Sequence, residues 1–129
     1  MATYLDSSAL VKLAVRESES AALRRYLRRR RPLVASALVR TEVLRALLPA
    51  GADAVARGRA ILHRVDLVRI NDRILNAAGI IEPASVRSLD AIHLATAAEF
   101  GTDLRALVTY DERMATAGRQ LGYPIIQPR

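Results

Sequence analysis

Cysteine is absent from this chain of 129 residues, and its absence excludes disulfide bonds, thiolate zinc sites and cysteine nucleophiles together. No apolar run approaches the roughly 18 residues that a membrane-spanning helix needs. The first six residues, Met1–Asp6, lack the basic region of a signal peptide and place an acid where such a peptide is apolar. We therefore expect a soluble, cytoplasmic protein with no membrane partner.

Lysine and the aromatic residues are also scarce. The 20 basic residues include a single lysine, Lys12, and the chain has four tyrosines, one phenylalanine and no tryptophan. No motif that combines aromatic and basic side chains for base stacking is evident. The formal charge of +7 still favours a polyanionic partner, because the release of counterions from phosphates drives binding.

The densest basic run is Arg28–Arg31, which the pattern places at the end of a helix that Pro32 terminates. Exposed cations there would complement the negative end of the helix dipole. The alternative interpretation is direct contact with RNA, and the sequence leaves both open.

Short apolar segments alternate with helical ones along the chain, without a linker, an internal repeat or a low-complexity tract. The predicted strands cover residues 3–5, 33–35, 67–70, 106–109 and 124–126. The predicted helices cover residues 9–15 (capped by Ser7 or Ser8), 18–31, 36–48 (capped by Ser36), 52–64, 72–80, 89–100 and a short segment that leads to Gly118. This alternation predicts an α/β fold, a three-layer α/β/α sandwich with a central parallel sheet, as one domain over residues 1–129.

Acidic residues are few, thirteen in all, so that their placement is informative. Asp6 and Asp111 each come at the carboxyl end of an apolar strand, where open α/β sheets bind ligands. Asp90 lies in the first turn of a helix, and Glu42 lies beside the apolar face of another. Unpaired carboxylates at such positions are costly, and a hard divalent cation with oxygen ligands, magnesium or manganese, would compensate them.

Each of these acids also has a purely structural interpretation. Asp6 and Asp111 could cap the helices that follow them, and Asp90 could stabilise the start of its helix. Glu42 could form an exposed ion pair with Arg45, three residues on. Their joint placement is harder to explain in this way.

Four segments resemble the motifs of the PIN-domain ribonuclease family. Residues 6–13 (DSSALVKL) are similar to its opening, and residues 36–43 (SALVRTEV) to the motif that carries a glutamate. Residues 88–97 (SLDAIHLATA) and 107–114 (LVTYDERM) are similar to the third and fourth motifs. The resemblance runs from Tyr4 to Ile126 in the family's order, and the length is typical of VapC-type toxins of toxin–antitoxin pairs.

The resemblance implies a magnesium-dependent ribonuclease in which four acids line one pocket and two hydroxyls orient them. Manganese would be a possible substitute for magnesium. The implied catalytic and metal-binding residues are Asp6, Glu42, Asp90 and Asp111, with Asp6 and Asp90 as the firmest ligands. The implied orienting hydroxyls are those of Ser8 and Thr109. Metal-activated water would then attack the phosphodiester.

The resemblance also implies three partners: an RNA substrate, a cognate VapB-type antitoxin and a second copy of the chain in a homodimer. One alternative is a PIN-domain nuclease of RNA processing that has no antitoxin. Another is a basic module that binds RNA without cleaving it. A phosphoacceptor α/β domain is disfavoured, because the first strand supplies one acid and Lys12 lies in the wrong place.

The two histidines have separate interpretations. His93, one turn after Asp90, is expected to pack or to form hydrogen bonds, and His63 is expected at the surface. A metal-free ribonuclease that uses both as acid and base is a remote alternative.

Overall fold

A computed structural model describes all residues, 1–129. The strands are Ala2–Leu5 (β1), Leu33–Ser36 (β2), Asp66–Val68 (β3), Leu104–Val108 (β4) and Ile125–Ile126 (β5). The helices are Ser7–Ala14 (α1), Ser20–Leu27 (α2), Val39–Leu47 (α3), Ala52–Leu62 (α4), Asp72–Gly79 (α5), Ser88–Ala98 (α6) and Glu112–Gln120 (α7). None of the helices combines the length and the hydrophobicity that crossing a membrane requires.

The five strands form one sheet in the order β3-β2-β1-β4-β5, and every pair is parallel. Successive side chains of a strand point to opposite faces, and β1 shows that both faces are covered. Tyr4 packs in one buried cluster with Leu94 of α6, whereas Leu5 packs in another with Leu10 of α1 and Val43 of α3. The predicted three-layer sandwich with a central parallel sheet is therefore confirmed.

The register of the central strands fixes one edge of the sheet. Tyr4 lies opposite Leu107, and Leu5 lies opposite Val108. Because the strands are parallel, the residues that follow them, Asp6 and Thr109, emerge together at the carboxyl edge of the sheet.

The predicted helix over residues 18–31 is wrong at its end, because α2 stops at Leu27. The N–H of Arg30 donates to the carbonyl of Leu27 (3.1 Å), three residues back, which closes a turn instead of a further helical turn. The Arg30 guanidinium donates to the carbonyl of Tyr26 (2.6 Å) and stacks on its ring. The run Arg28–Arg31 is thus not helical, and Pro32 further disfavours helix in the residue before it.

The predicted caps of two helices are also wrong. Ser36 is the last residue of β2, and its hydroxyl accepts a hydrogen bond from the N–H of Leu38 (3.1 Å), which forms a turn before α3 begins at Val39. The cap of α1 is Asp6 rather than one of the serines that follow it. The third strand begins at Asp66, one residue before its predicted start, because Asp66 pairs with β2.

Candidate active site

Asp6 lies at the end of β1, and hydrogen-bond donors surround its carboxylate. The residue is 2% exposed. Its Oδ1 accepts hydrogen bonds from the N–H of Ala9 (3.0 Å) and the hydroxyl of Ser8 (2.6 Å), and its Oδ2 accepts one from the hydroxyl of Thr109 (2.5 Å). Burial raises the pKa of Asp6, and the hydrogen bonds from Ser8 and Thr109 oppose this rise because they favour the charged form.

Ser8 and Thr109 connect the carboxyl ends of β1 and β4. The Ser8 hydroxyl accepts a hydrogen bond from the N–H of Tyr110 (2.8 Å), and the Thr109 hydroxyl accepts one from the N–H of Asp111 (3.1 Å). Each hydroxyl therefore donates to Asp6 and accepts from the backbone that leads to Asp111. This arrangement orients the two acidic positions relative to each other, and the part of these hydroxyls in catalysis stays a prediction.

Asp111 is the N-cap of α7. Its Oδ1 accepts hydrogen bonds from the N–H groups of Arg113 (2.9 Å) and Met114 (3.2 Å). Its Oδ2 receives no hydrogen bond from the protein. The capping interpretation is confirmed for Asp111 as it is for Asp6, and capping leaves one Asp111 oxygen available to a ligand.

Glu42 forms a hydrogen bond with His93 of α6, so the alternative interpretation, an exposed ion pair with Arg45, is wrong. Glu42 Oε1 lies 2.7 Å from His93 Nε2, and His93 Nδ1 lies 2.7 Å from the hydroxyl oxygen of Tyr4. His93 is 1% exposed, which confirms that it packs and forms hydrogen bonds. His63, in contrast, is exposed as expected.

Asp90 differs from the other three acids because no protein group donates a hydrogen bond to it. It is the third residue of α6 and is half-buried. Burial raises the pKa of Asp90, and the negative charges of Asp111, Asp6 and Glu42 raise it further. Asp90 thus lies within electrostatic range of the other three predicted acids, at the carboxyl edge of the sheet.

The four carboxylates do not form a complete set of metal ligands. No group of three or more histidine, cysteine, aspartate or glutamate side chains lies close enough to hold a metal ion by itself. Magnesium fits such a site, because it commonly binds through one or two carboxylates and keeps several waters. Asp90 has both oxygens without a protein donor, and Glu42 and Asp111 each have one. The donor set, all oxygen, suits magnesium or manganese.

A cavity of about 530 Å³ opens beside Asp90, between the loop before α6 and the outer face of α7. Arg87 and Arg113 line it, and neither guanidinium has a hydrogen-bond acceptor or an acidic partner in the protein. The other acid in the lining, Glu112, is bound from outside the cavity by Arg129 (3.2 Å). Two unpaired cations therefore lie next to the acidic edge.

The sequence analysis missed these two arginines and Tyr4. Arg87 comes three residues before Asp90 and Arg113 two residues after Asp111, so their proximity to the acidic motifs could have indicated them. Tyr4 occupies a buried strand, and a buried tyrosine hydroxyl usually has a hydrogen-bond partner.

The run Arg28–Arg31 lies away from this site. It directly precedes β2, which begins at Leu33, so it lies at the amino edge of the sheet. The acids lie at the opposite, carboxyl edge. The run therefore does not belong to the acidic site, and its contact with RNA stays a prediction.

Comparisons with known proteins agree with the fold. The chain matches the PIN domain family over residues 3–120. It is similar in structure to VapC20 of Mycobacterium tuberculosis, a sarcin-ricin loop cleaving toxin, with a TM-score of 0.77 and 16% identity over 98% of this chain and 99% of that one. It is also similar to a toxin–antitoxin complex from Klebsiella pneumoniae, with a TM-score of 0.74 and 19% identity over 98% of each chain.

Curated relatives share more of the sequence. Ribonuclease VapC46 of Mycobacterium tuberculosis is 58% identical over 127 residues, which cover 98% of each chain. Ribonuclease VapC47 of Mycobacterium tuberculosis is 36% identical over 130 residues, which cover 97% of this chain and 96% of the relative. On the match over residues 3–120 and on these identities, the chain belongs to the PIN-domain family and to its VapC ribonuclease branch.

Proposed function

We propose that this chain is a magnesium-dependent ribonuclease and the toxin of a type II toxin–antitoxin pair, built as one PIN domain over residues 1–129. The observation that carries the proposal is the set of four carboxylates at one sheet edge, where Asp90 has no donor from the protein. An RNA substrate implies action in the cytoplasm. Identity of 58% with a protein named ribonuclease VapC46 supports both the activity and the toxin class.

Asp6 and Asp90 are the residues that would hold the metal most firmly, and Glu42 and Asp111 would complete the site directly or through water. A bound magnesium ion would lower the pKa of its water and stabilise charge on the leaving oxygen. The chain's own contribution is to position these oxygens. Hydrogen bonds from Ser8 and Thr109 hold Asp6, and a backbone N–H in the first turn of α7 donates to Asp111.

The cavity beside Asp90 is where we place the RNA strand. Its volume, about 530 Å³, lies in the range of small-ligand pockets, roughly 300–1,000 Å³, and suits about one nucleotide. Arg87 and Arg113 are free to bind phosphate oxygens, and arginine does so with two parallel hydrogen bonds. Because Arg129 already binds Glu112, that acid adds little repulsion toward the strand.

The decisive experiment is cleavage of RNA by the purified protein with and without magnesium, with the product ends identified. We expect 5′-phosphate and 3′-hydroxyl ends, because water rather than the RNA's 2′-hydroxyl attacks the phosphorus. Cleavage should cease in EDTA and in Asp90→Asn, and it should continue in the control Asp66→Asn, whose side chain is exposed on β3. Cyclic 2′,3′-phosphate ends that persist in EDTA would contradict the proposal.

The toxin role needs its own test, because a PIN-domain nuclease of RNA processing would cleave RNA in the same way. We expect that production of the wild-type chain slows growth and that co-production of a small protein encoded beside it restores growth. Normal growth during production of a chain that is active in vitro would favour the RNA-processing alternative. A chain that binds RNA equally well with and without magnesium and never cleaves it would favour the binding module. The homodimer stays a prediction of the family resemblance.

A further inference from the structure

A chain of hydrogen bonds, buried as far as His93, connects the middle of the sheet to Glu42. The N–H of Ser36, at the end of β2, donates to the hydroxyl oxygen of Tyr4 (3.2 Å) in β1. The same hydroxyl lies 2.7 Å from His93 Nδ1, and His93 Nε2 lies 2.7 Å from Glu42 Oε1. Tyr4, Ser36 and His93 are each at most 1% exposed.

The first hydrogen bond of this chain sets the direction of the others. Of the two hydrogen-bond partners of the Tyr4 hydroxyl, the N–H of Ser36 can only donate, so His93 Nδ1 is the partner that can accept the hydroxyl hydrogen. An imidazole whose Nδ1 accepts a hydrogen bond carries its one hydrogen on Nε2. His93 then donates to Glu42, and Glu42 Oε1 is held while Oε2 keeps no protein donor.

The imidazole ring of His93 is packed against the ring of Tyr4. The rings of Tyr4 and His93 meet edge to face, with centroids 5.9 Å apart and planes at 79°. His93 lies in α6 between Asp90 and Leu94, and Leu94 is fully buried against the sheet. The contact between Tyr4 and His93 is thus shielded from solvent.

We infer that Tyr4 and His93 are positioning residues, which fix the Nε2–H tautomer of His93 and thereby hold the Glu42 carboxylate for metal binding. This inference rests on the proposed function in one respect, the role of Glu42 as a metal ligand. The chain of hydrogen bonds, which we call the relay, is shown by the contacts among Ser36, Tyr4, His93 and Glu42. Hydrogen-bond partners of this kind fix the orientation of metal ligands and raise metal affinity.

The tautomer can be observed directly in the ¹⁵N-labelled, metal-free protein. We expect long-range ¹H–¹⁵N spectra to show a protonated Nε2 and an unprotonated Nδ1 for His93. Tyr4→Phe removes the hydroxyl, and the His93 imidazole should then be a mixture of both tautomers. The matched control is Tyr123→Phe, because that hydroxyl also bonds to α6, through the carbonyl of Leu94 (2.8 Å), but forms no hydrogen bond with His93. A protonated Nδ1 in the wild-type protein would overturn the inference.

The effect on the metal can be measured by titration with Mn²⁺ alone, without RNA. His93→Leu keeps the volume but removes the donor, and we expect Mn²⁺ affinity to fall roughly 10- to 100-fold. His93→Gln keeps an N–H donor and should recover part of the affinity. If His93→Leu does not fold, the Mn²⁺ affinities of Tyr4→Phe and His93→Gln can still be compared with that of the wild-type protein.

A double-mutant cycle separates positioning from a general structural effect. In a Glu42→Gln background, which lacks the ligand charge, His93→Leu should reduce Mn²⁺ affinity little further. An equal loss in both backgrounds would overturn the relay, although the proposed metal site would stand. No Mn²⁺ binding by the wild-type protein would instead contradict the proposed function, whatever the spectra show for His93.

Discussion

Thr109 and Asp6 are 103 positions apart in the sequence, and the threonine hydroxyl donates a 2.5 Å hydrogen bond to the aspartate carboxylate. The same hydroxyl accepts from the N–H of Asp111 (3.1 Å). One side chain therefore links the acid that follows β1 with the acid that follows β4.

The substitution Thr109→Val should weaken both the fold and the site. Valine keeps the shape but removes the donor to Asp6 and the acceptor for Asp111, and we expect the free energy of unfolding to fall by about 1–3 kcal/mol. Cleavage should fall roughly 10- to 100-fold, because a partner that orients a metal ligand is lost. Denaturant unfolding and RNA cleavage would measure the two effects. Thr3→Val is the matched control: Thr3 is equally buried, but its hydroxyl donates to the carbonyl of Arg30 (2.8 Å), away from the acids.

Asp90→Asn should stabilise the metal-free protein while it abolishes cleavage. The Asp90 carboxylate has no donor and is repelled by Asp111, Asp6 and Glu42, so that its charge opposes folding when no metal is present. Since Asp90 is half-exposed, solvent screening limits the gain to less than about 1 kcal/mol. Thermal unfolding in EDTA should show a rise of at most about 4 °C. An equal rise in Asp66→Asn, or a lower Tm in Asp90→Asn, would contradict this explanation.

Asp6 and Asp90 should make the stability of the metal-free protein depend on pH. The pKa values of Asp6 and Asp90 are raised in the folded state, so the folded chain binds more protons than the unfolded chain above the ordinary aspartate range. Stability in EDTA should therefore fall as pH rises from about 4 through the raised pKa values. Unfolding measured at several pH values would test this, and Asp90→Asn should show a shallower fall. Saturating magnesium should remove the fall, because the metal compensates the charges.

Much of the site could be predicted from the sequence for a simple reason. Parallel strands bring their carboxyl ends to one edge, so acids that directly follow apolar strands, such as Asp6 and Asp111, must meet. The contacts that depend on three-dimensional packing could not be predicted. His93 and Tyr4 are 89 positions apart, and nothing in the local pattern of either indicates the other.

The errors in the fold have local causes. The helical pattern over residues 18–31 is genuine. The Arg30 side chain, however, donates a hydrogen bond to the carbonyl of Tyr26, and the backbone turns after Leu27. Ser36 is a good cap by residue type, yet pairing with β3 keeps it in the sheet. In both cases a contact with a specific neighbour outweighs the propensity of the segment.

Arg113→Ala tests the path of the RNA. If this arginine binds a phosphate, its loss should raise KM for RNA several-fold, leave kcat nearly unchanged and flatten the plot of log KM against log salt concentration by about 0.7. Arg29→Ala is the control, because Arg29 lies at the amino edge of the sheet, away from the acids. Steady-state kinetics at three or more salt concentrations would measure the effect. Equal changes in the two variants would indicate a general charge effect instead of a binding site beside Asp90.

A cation from a partner protein should restrain the proposed toxin. Four carboxylates within electrostatic range, in a chain of net charge +7, form a local acidic site that a partner's arginine or lysine would fit. Such a cation would offset the repulsion around Asp90 in place of the metal and would form charge-assisted hydrogen bonds with the carboxylates.

We expect this cation to belong to the carboxyl-terminal segment of a VapB-type antitoxin that orders on binding. The antitoxin should then compete with Mn²⁺ for the wild-type protein, and replacement of its carboxyl-terminal basic residues by alanine should abolish both competition and inhibition. Mn²⁺ titration and RNA cleavage, each with and without the antitoxin, would measure the two effects. Inhibition that survives the loss of every one of those basic residues would contradict the prediction, because the antitoxin would then block cleavage without compensating the acids.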